Sequence, residues 1–91
     1  MGQCWLLHRV NPERNEKRYY YLSWGSSLLY PCAITRHWGR IGGSQQQLLT
    51  PCNSAGEAEK LAAKLLKLRY RRGYTLVEGD NDEKDELAKE S

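Results

Sequence analysis

Two arginines and a tryptophan alternate along one short segment of the chain. Arg36, Trp38 and Arg40 are each separated by a single residue. Successive side chains of a β-strand point to opposite faces, so the three would share one face if this segment is extended. Guanidinium groups bind phosphate oxygens in a bidentate manner, and an indole face stacks on a base or a sugar. The segment therefore has the chemistry of a nucleic-acid contact.

The same residues allow a purely structural interpretation. Arg36 and Arg40 can flank Trp38 through cation–π contacts at the edge of a sheet. Burial of two unpaired guanidinium groups beside the indole would be costly, so we expect Trp38 to be partly exposed. This reasoning places the three side chains on the sheet face that no helix covers, or at the sheet edge. A bulge at Gly39 would interrupt the alternation.

Charge is distributed unevenly along the 91 residues. Residues 1–76 contain twelve Lys and Arg and four acids, a net charge of +8, whereas residues 77–91 contain two Lys and seven acids, a net charge of −5. A basic body of this size attracts polyanions, most commonly nucleic acid. The length and the charge pattern predict one domain over residues 1–77 and a disordered acidic tail over residues 78–91.

Elements of catalysis are sparse in the sequence. The only acids of the body are Glu13, Glu16, Glu57 and Glu59, and the two histidines, His8 and His37, have no cysteine at a useful spacing. No CxxC or HxxxH spacing indicates zinc, and the glycines after Trp38 lack the Lys-Ser/Thr of a phosphate-binding loop. We therefore expect a non-enzymatic protein with no cofactor and no metal.

Several strands and one helix must position these residues. Apolar and aromatic runs predict strands at residues 4–10, 18–24, 28–41 and 45–49, with Thr50-Pro51 ending the fourth, and a last short strand or extended arm at 74–77. Ser54 and Glu57 have the spacing of a capping box, and Gly73 is placed to end a helix of residues 55–72. The helical spacing predicts that its apolar face contains Ala58, Leu61, Ala62, Leu65 and Leu68. The fold class is therefore α+β, an antiparallel sheet of four to five strands with one amphipathic helix on a face.

The polar side of this helix carries a basic stripe. Lys60, Lys64, Lys67 and Arg71 lie within a narrow sector opposite the apolar face, and such a stripe is more often a solvated surface than a phosphate track. Arg69 projects close to the apolar face, where it can extend its head group past the helix end or reach a carbonyl of the sheet.

The motif around Trp38 also resembles a known family. Trp38-Gly39-Arg40-Ile41-Gly42, with Arg36 before it, is similar to the signature of the WGR domain. The segment from Asn15 to Tyr21, which contains Lys17 and Arg18, Ala58 in the helix and Gly73-Tyr74 after it also resemble the family. The resemblance extends over residues 4–77. The family usually has a Gly-Gln pair after the motif, whereas this chain has Gly43-Ser44-Gln45.

The resemblance implies a sheet with one helix and a nucleic-acid-binding role. The family occurs in DNA-damage-sensing poly(ADP-ribose) polymerases, in a bacterial molybdate regulator and as short standalone bacterial proteins. This chain resembles the standalone kind. In the polymerases the motif lies at a DNA end, which implies that Trp38 packs on a terminal sugar or base. It also implies that Arg40 contacts DNA or a neighbouring domain.

These considerations predict a non-enzymatic module that binds nucleic acid, namely DNA or DNA ends. The predicted contact residues are Arg36, Trp38, Gly39, Arg40, Lys17, Arg18, Lys64 and Lys67. The alternative is a protein-interaction module that uses the same Trp38/Arg40 surface. An odd number of cysteines, three, excludes a fully paired disulfide framework, and together with no signal segment and no apolar run of membrane length it favours a cytoplasmic location without membrane association.

Overall fold

The computed structural model describes residues 2–79 of the chain, so the predicted acidic tail lies almost entirely outside the described residues. In chain order the elements are β1 (Gln3–Asn11), a 3₁₀ turn (Pro12–Arg14), β2 (Glu16–Gly25), β3 (Cys32–Arg40), β4 (Gln45–Cys52), α1 (Ala55–Arg71) and β5 (Thr75–Gly79).

The five strands form one antiparallel sheet in the order β4-β3-β2-β1-β5, and α1 packs on one of its faces. The first four strands form a meander, and α1 carries the chain from one edge of the sheet to the other. This architecture confirms the predicted α+β class. We call the two sides of the sheet the helix face and the open face.

The core lies between α1 and the central strands. Side chains that alternate along the strands point at the helix, including Leu7, Tyr20, Leu22 and Ile34, all of which are completely buried. From the helix, Ala58, Ala62 and Leu66 reach this layer. Two alanines at a spacing of four residues allow the helix axis to approach the sheet closely.

Both ends of α1 are capped at the predicted residues, although of the capping box the described residues contain only the bond accepted by Ser54. The Ser54 hydroxyl accepts a hydrogen bond from the Glu57 backbone N–H at 3.1 Å. At the other end Gly73 has φ +91°, and the N–H groups of Gly73 and Tyr74 donate to the carbonyls of Tyr70 and Arg69 at 3.1 Å each. This is the Schellman arrangement, which favours glycine because of its positive φ.

Two predicted positions of the helix face are shifted. Leu66 is buried, whereas Leu68 is 40% exposed and Leu65 is only partly buried. The buried line therefore follows Ala58, Ala62 and Leu66 at i, i+4 and i+8. It continues towards Arg69, as expected from the position of that arginine near the apolar face.

Two strand boundaries also differ from the prediction. The extended segment predicted from residue 28 begins only at Cys32, and residues 26–31 form an exposed loop in which Ser27 N–H donates to the Tyr30 carbonyl. Strand β4 continues through Pro51 to Cys52. Pro51 does not end the strand because β4 is an edge strand, where an amide N–H can be absent without loss of a sheet hydrogen bond.

Among residues 2–79, no helix is long and apolar enough to cross a membrane. Cys32 and Cys52 are both buried and lie directly opposite each other on β3 and β4.

Candidate nucleic-acid interface

Trp38 lies on the helix face of the sheet. It is directly opposite Tyr20 of β2, a residue of the core, and cross-strand partners in an antiparallel pair share a face. The indole is half-buried and packs against the core beside the helix. The prediction of partial exposure is therefore confirmed, whereas the prediction that the row lies on the uncovered face or at the sheet edge is wrong.

The two arginines of this row differ in their surroundings. Arg36 is half-buried between Leu22 and Leu48 of the neighbouring strands, and its Nε atom has no hydrogen-bond partner within residues 2–79. Arg40, at the end of β3, is exposed. Arg40 is therefore the member of the pair that a ligand can reach most directly.

Gly39, between Trp38 and Arg40, is required by the close approach of another segment. A Cβ atom at this position would lie 2.3 Å from the backbone oxygen of Ser44, and the residue has φ +158°. The glycine thus allows the β3–β4 turn to fold back against the strand, which keeps Arg40 at the end of the sheet. Gly39 makes a backbone contribution to the site.

Three arginines lie side by side across the end of the sheet. Arg9 of β1 is opposite Arg18 of β2, which is in turn opposite Arg40 of β3, so all three are on the helix face. We call this set the arginine row. Like charges directly opposite each other on neighbouring strands destabilise a sheet. Glu16 offsets part of the repulsion through ion pairs with Arg9 at 3.4 Å and Arg18 at 3.6 Å.

Next to the arginine row is a cleft of about 220 Å³ with a predominantly basic lining. We call it the basic cleft; its lining residues are Arg14, Asn15, Glu16, Lys17, Arg18 and Arg40. Asn15 adopts the left-handed conformation, φ 52°, and reverses the chain after the 3₁₀ turn so that Arg14 faces the strand ends. Arg40 Nη2 donates to the Asn15 carbonyl at 3.3 Å, which fixes one side of its guanidinium group.

Sequence comparison places this geometry in a family. The model of the WGR domain matches residues 3–81, which is most of the chain. The chain belongs to the WGR domain family. This family is often associated with nucleic-acid binding.

A relative of this WGR domain occurs in Sinorhizobium fredii (strain NBRC 101917 / NGR234). The chain is 34% identical over 68 residues to an uncharacterized protein, y4dW, of that organism. The alignment covers 75% of this chain and 33% of y4dW, so the chain spans about a third of the length of this relative. No solved structure matches the chain significantly.

Arg69, Tyr20 and Tyr74 form a cation–π cluster next to the WGR motif. The guanidinium carbon of Arg69 lies 4.2 Å from the centre of the Tyr20 ring and 5.7 Å from that of Tyr74. Arg69 therefore makes cation–π contacts instead of extending past the helix end or bonding to a sheet carbonyl. Because Tyr20 is opposite Trp38, this cluster fixes the strand beside the indole.

The predicted contact residues fall into two groups. Lys17, Arg18 and Arg40 converge on the basic cleft, and Trp38 lies two residues before Arg40 on the same face. Lys64 and Lys67 are exposed on α1, as predicted for the basic stripe, but do not line the cleft. Arg36 is also outside the cleft.

The sequence alone did not identify Arg9 and Arg14 as site residues, or Glu16 as the ion-pair partner of Arg9 and Arg18. The signal for Arg14 was the Asn11-Pro12 turn followed by Asn15, a residue type that tolerates the left-handed conformation. Arg9 could be assigned to the row only from the strand register, since no local pattern distinguishes it from a solvated arginine.

Burial and nearby negative charge raise the pKa of one thiol, that of Cys52, which lies opposite the start of β3, at the far end from Arg40. Desolvation raises the pKa of Cys52 above its ordinary value of 9.0, with smaller contributions from Glu57 and Cys32. Within residues 2–79, no three His, Cys, Asp or Glu side chains are grouped closely enough to hold a metal ion.

Proposed function

We propose that this WGR domain binds DNA, at or near a duplex end, through the basic cleft and the adjacent face of Trp38. The observation that carries the proposal is the arginine row. Arg9, Arg18 and Arg40 are aligned on three neighbouring strands, and within residues 2–79 a single carboxylate, that of Glu16, is paired with two of them. A polyanion near Arg40 would relieve the remaining repulsion.

The phosphate backbone is the part of DNA that this cleft suits. Arg14, Lys17, Arg18 and Arg40 provide four cations around one opening, and its volume of about 220 Å³ is below the ~300–1,000 Å³ typical of small-molecule sites. Arginine forks bind phosphate oxygens bidentately, so the cleft has the size and the donors for a phosphate group.

Arg40 is preorganised for this role. Its hydrogen bond to the Asn15 carbonyl occupies one of its five N–H donors and holds the group at the mouth of the cleft. A side chain that is already held loses less conformational entropy when it binds a phosphate.

Trp38 would supply the contact that distinguishes an end from continuous duplex. The indole is half-exposed on the same face as the arginine row, with its buried side packed on the core. A terminal base pair or sugar presents a flat surface that can stack on the exposed side, whereas bases within a duplex already stack on each other.

We propose binding without catalysis. His8 and His37 lie on the open face, whereas Cys32 and Cys52 are buried on the helix face, so these groups do not meet across the sheet. Cys4 shares the open face with His8 but lies four residues away along β1, about 13 Å.

The same surface also suits a second candidate function, the docking of a partner protein. A half-exposed tryptophan beside an arginine is typical of protein interfaces. Salt dependence separates the two functions, since phosphate contacts release counterions on binding and protein contacts do so much less.

The test compares labelled blunt-ended, nicked and closed-circular DNA at two salt concentrations. We expect binding that falls with salt and is stronger for the DNA with ends. Trp38→Leu keeps apolar packing on the core and should weaken end binding by about 5- to 150-fold, the equivalent of ~1–3 kcal/mol of stacking.

Tyr30→Leu is the matched control. Tyr30 is also a partly exposed aromatic residue, 37% exposed, but it lies in the loop before Cys32, at the opposite end of β3 from Arg40. Equal affinity for all three DNA forms would refute recognition of ends. Affinity that does not depend on salt would favour protein docking.

A further inference from the structure

Strand β4 is an edge strand with little of the usual protection, since only Pro51, next to its last residue, lacks a backbone N–H for pairing. It occupies one end of the strand order, and residues 41–56, which include the whole strand, form a run of sixteen without a charged side chain. Natural sheets protect such edges with charges, bulges or covering segments, because free backbone N–H and C=O groups pair readily with another strand.

The surface of β4 is accessible on both faces. Leu48 on the helix face is 45% exposed and Leu49 on the open face is 43% exposed, and Gln45–Gln47 are exposed as well. Within residues 2–79, neither α1 nor a loop covers this part of the strand. Adjacent leucines on opposite faces give any added strand an apolar contact on each side of the sheet.

The other edge is built differently. Strand β5 has only five residues, carries Glu78 and pairs with β1 through a register irregularity between Leu6 and Leu7. Short length, charge and irregular register are the devices that discourage edge pairing. Only one of the two described edges is thus suited to accept a strand.

We infer that β4 is a self-association surface, on which a second copy of this chain pairs antiparallel to give a two-fold symmetric dimer with one continuous sheet. The charge distribution argues for a second copy. The body outside this run is strongly basic, so two copies repel through most of their surfaces but not through the neutral edge.

The two-fold axis fixes the arrangement of the pair. For antiparallel strands it runs perpendicular to the sheet, so both helices lie on the same side and a residue such as Leu48 meets its own copy at the centre. Gln47 would then be opposite Leu49 of the second copy. The two Trp38 side chains lie on the same side, three strand spacings apart, or about 14 Å measured across the strands.

This contact is closed and small. Each copy uses its single unprotected edge, so assembly stops at two chains. One pair of strands buries less than the ~1,200–2,000 Å² of a stable interface, and the dimer should therefore be weak and dependent on concentration.

The test is sedimentation of the full chain, without DNA, from about 10 µM to about 1 mM, the range of weak complexes. We expect the mean mass to rise from 10.5 kDa towards twice that value. Leu48→Lys places two ammonium groups opposite each other at the axis and should raise the dissociation constant by on the order of tenfold or more.

Two further variants keep the result interpretable. Gln47→Lys changes an exposed polar side chain on the other face of the same strand, so it should weaken the dimer without affecting the fold. Val77→Lys is the matched control, since Val77 is 47% exposed on β5, and it should associate like the original chain. Unfolding curves of all three verify the fold.

A mean mass of 10.5 kDa throughout the concentration range would overturn the inference. So would species larger than two chains, or association that survives both β4 substitutions and is lost in Val77→Lys. None of these outcomes depends on whether the chain binds DNA.

Discussion

Replacement of Arg40 by glutamine provides the sharpest test of the basic cleft. The substitution removes one positive charge from the four that line the opening. Glutamine is polar and neutral but two bonds shorter than arginine, so the exposed hydrogen bond that Arg40 Nη2 makes to the Asn15 carbonyl at 3.3 Å is lost as well, while the salt slope reports only the lost charge.

The magnitude follows from the number of cations. If all four cleft cations contact phosphates, log K should fall against log salt with a slope of about −3.6, since each contact contributes about 0.9. A rise from about 50 to about 200 mM salt should then weaken binding about 150-fold. With Arg40→Gln the slope becomes about −2.7, and the same rise in salt weakens binding only about 40-fold.

The assay is fluorescence anisotropy of a labelled blunt-ended duplex at four or more salt concentrations in this range. Lys60→Gln is the control, because it also removes one exposed positive charge. Lys60 is in the second turn of α1, which starts just after Cys52, and Cys52 is opposite Cys32 at the start of β3. Arg40 is at the other end of that strand, eight residues and about 26 Å from Cys32, and Lys60 does not line the cleft.

We expect the slope of Lys60→Gln to match that of the original chain. A slope that is unchanged in Arg40→Gln but lower in Lys60→Gln would refute the assignment of phosphate contacts to the basic cleft. That result would instead assign the phosphate contacts to the helix.

Two further predictions concern stability. Arg69→Met removes the cation–π contact with Tyr20 but keeps an unbranched side chain, so it should destabilise the fold by about 1 kcal/mol and lower the thermal midpoint by about 4–8 °C. Arg69→Lys restores a positive charge and should recover part of this loss. An unchanged midpoint in Arg69→Met would show that the contact contributes nothing. Because the folded state raises the pKa of Cys52, the protonated thiol stabilises the fold; this contribution is complete below pH 9.0 and is lost as the pH rises through the raised value. The free energy of unfolding in urea should therefore fall more between about pH 8 and 10 in the original chain than in Cys52→Ala. Equal losses in the two proteins would contradict this.

The helix could be predicted from sequence because its signals are local. Ser54, Glu57 and Gly73 are capping residues whose hydrogen bonds span a few positions, and the structure has the helix at Ala55–Arg71, close to the predicted 55–72. The buried line was off by one position because Leu65 and Leu66 are equally apolar. Only the direction from which the sheet approaches distinguishes them.

The strand ends were harder because apolar composition does not imply burial. Leu28 and Leu29 extend an apolar run into β3 in the sequence, yet they are 105% and 82% exposed in the loop before Cys32. The arginine row depends on pairings between residues 9, 18 and 40. Register between strands is set by the whole sheet and by its turns, so no window of the sequence contains it.

The face of Trp38 was mispredicted because coverage by a helix was treated as complete. A helix with its side chains is about 10–12 Å across, whereas five strands at ~4.8 Å spacing span about 19 Å between the outer two. One helix therefore leaves part of its own face uncovered, and Trp38 and Arg40 lie in that part, beside the buried Tyr20. The alternation that placed Arg36, Trp38 and Arg40 on one face was correct.

This placement also changes the relation between the two basic surfaces. If the Trp38 row lay on the open face, a short rigid duplex could not contact it together with Lys64 and Lys67 of the basic stripe. Both surfaces are on the helix side of the sheet, and the C-terminal end of α1 lies near the arginine row, since a Cβ atom at Gly73 would be 3.7 Å from Arg9 Nε. A duplex whose end rests on Trp38 can therefore run along the C-terminal half of the helix, in which case Lys64 and Lys67 add contacts to those of the cleft, whereas Lys60, in the second turn, stays outside them.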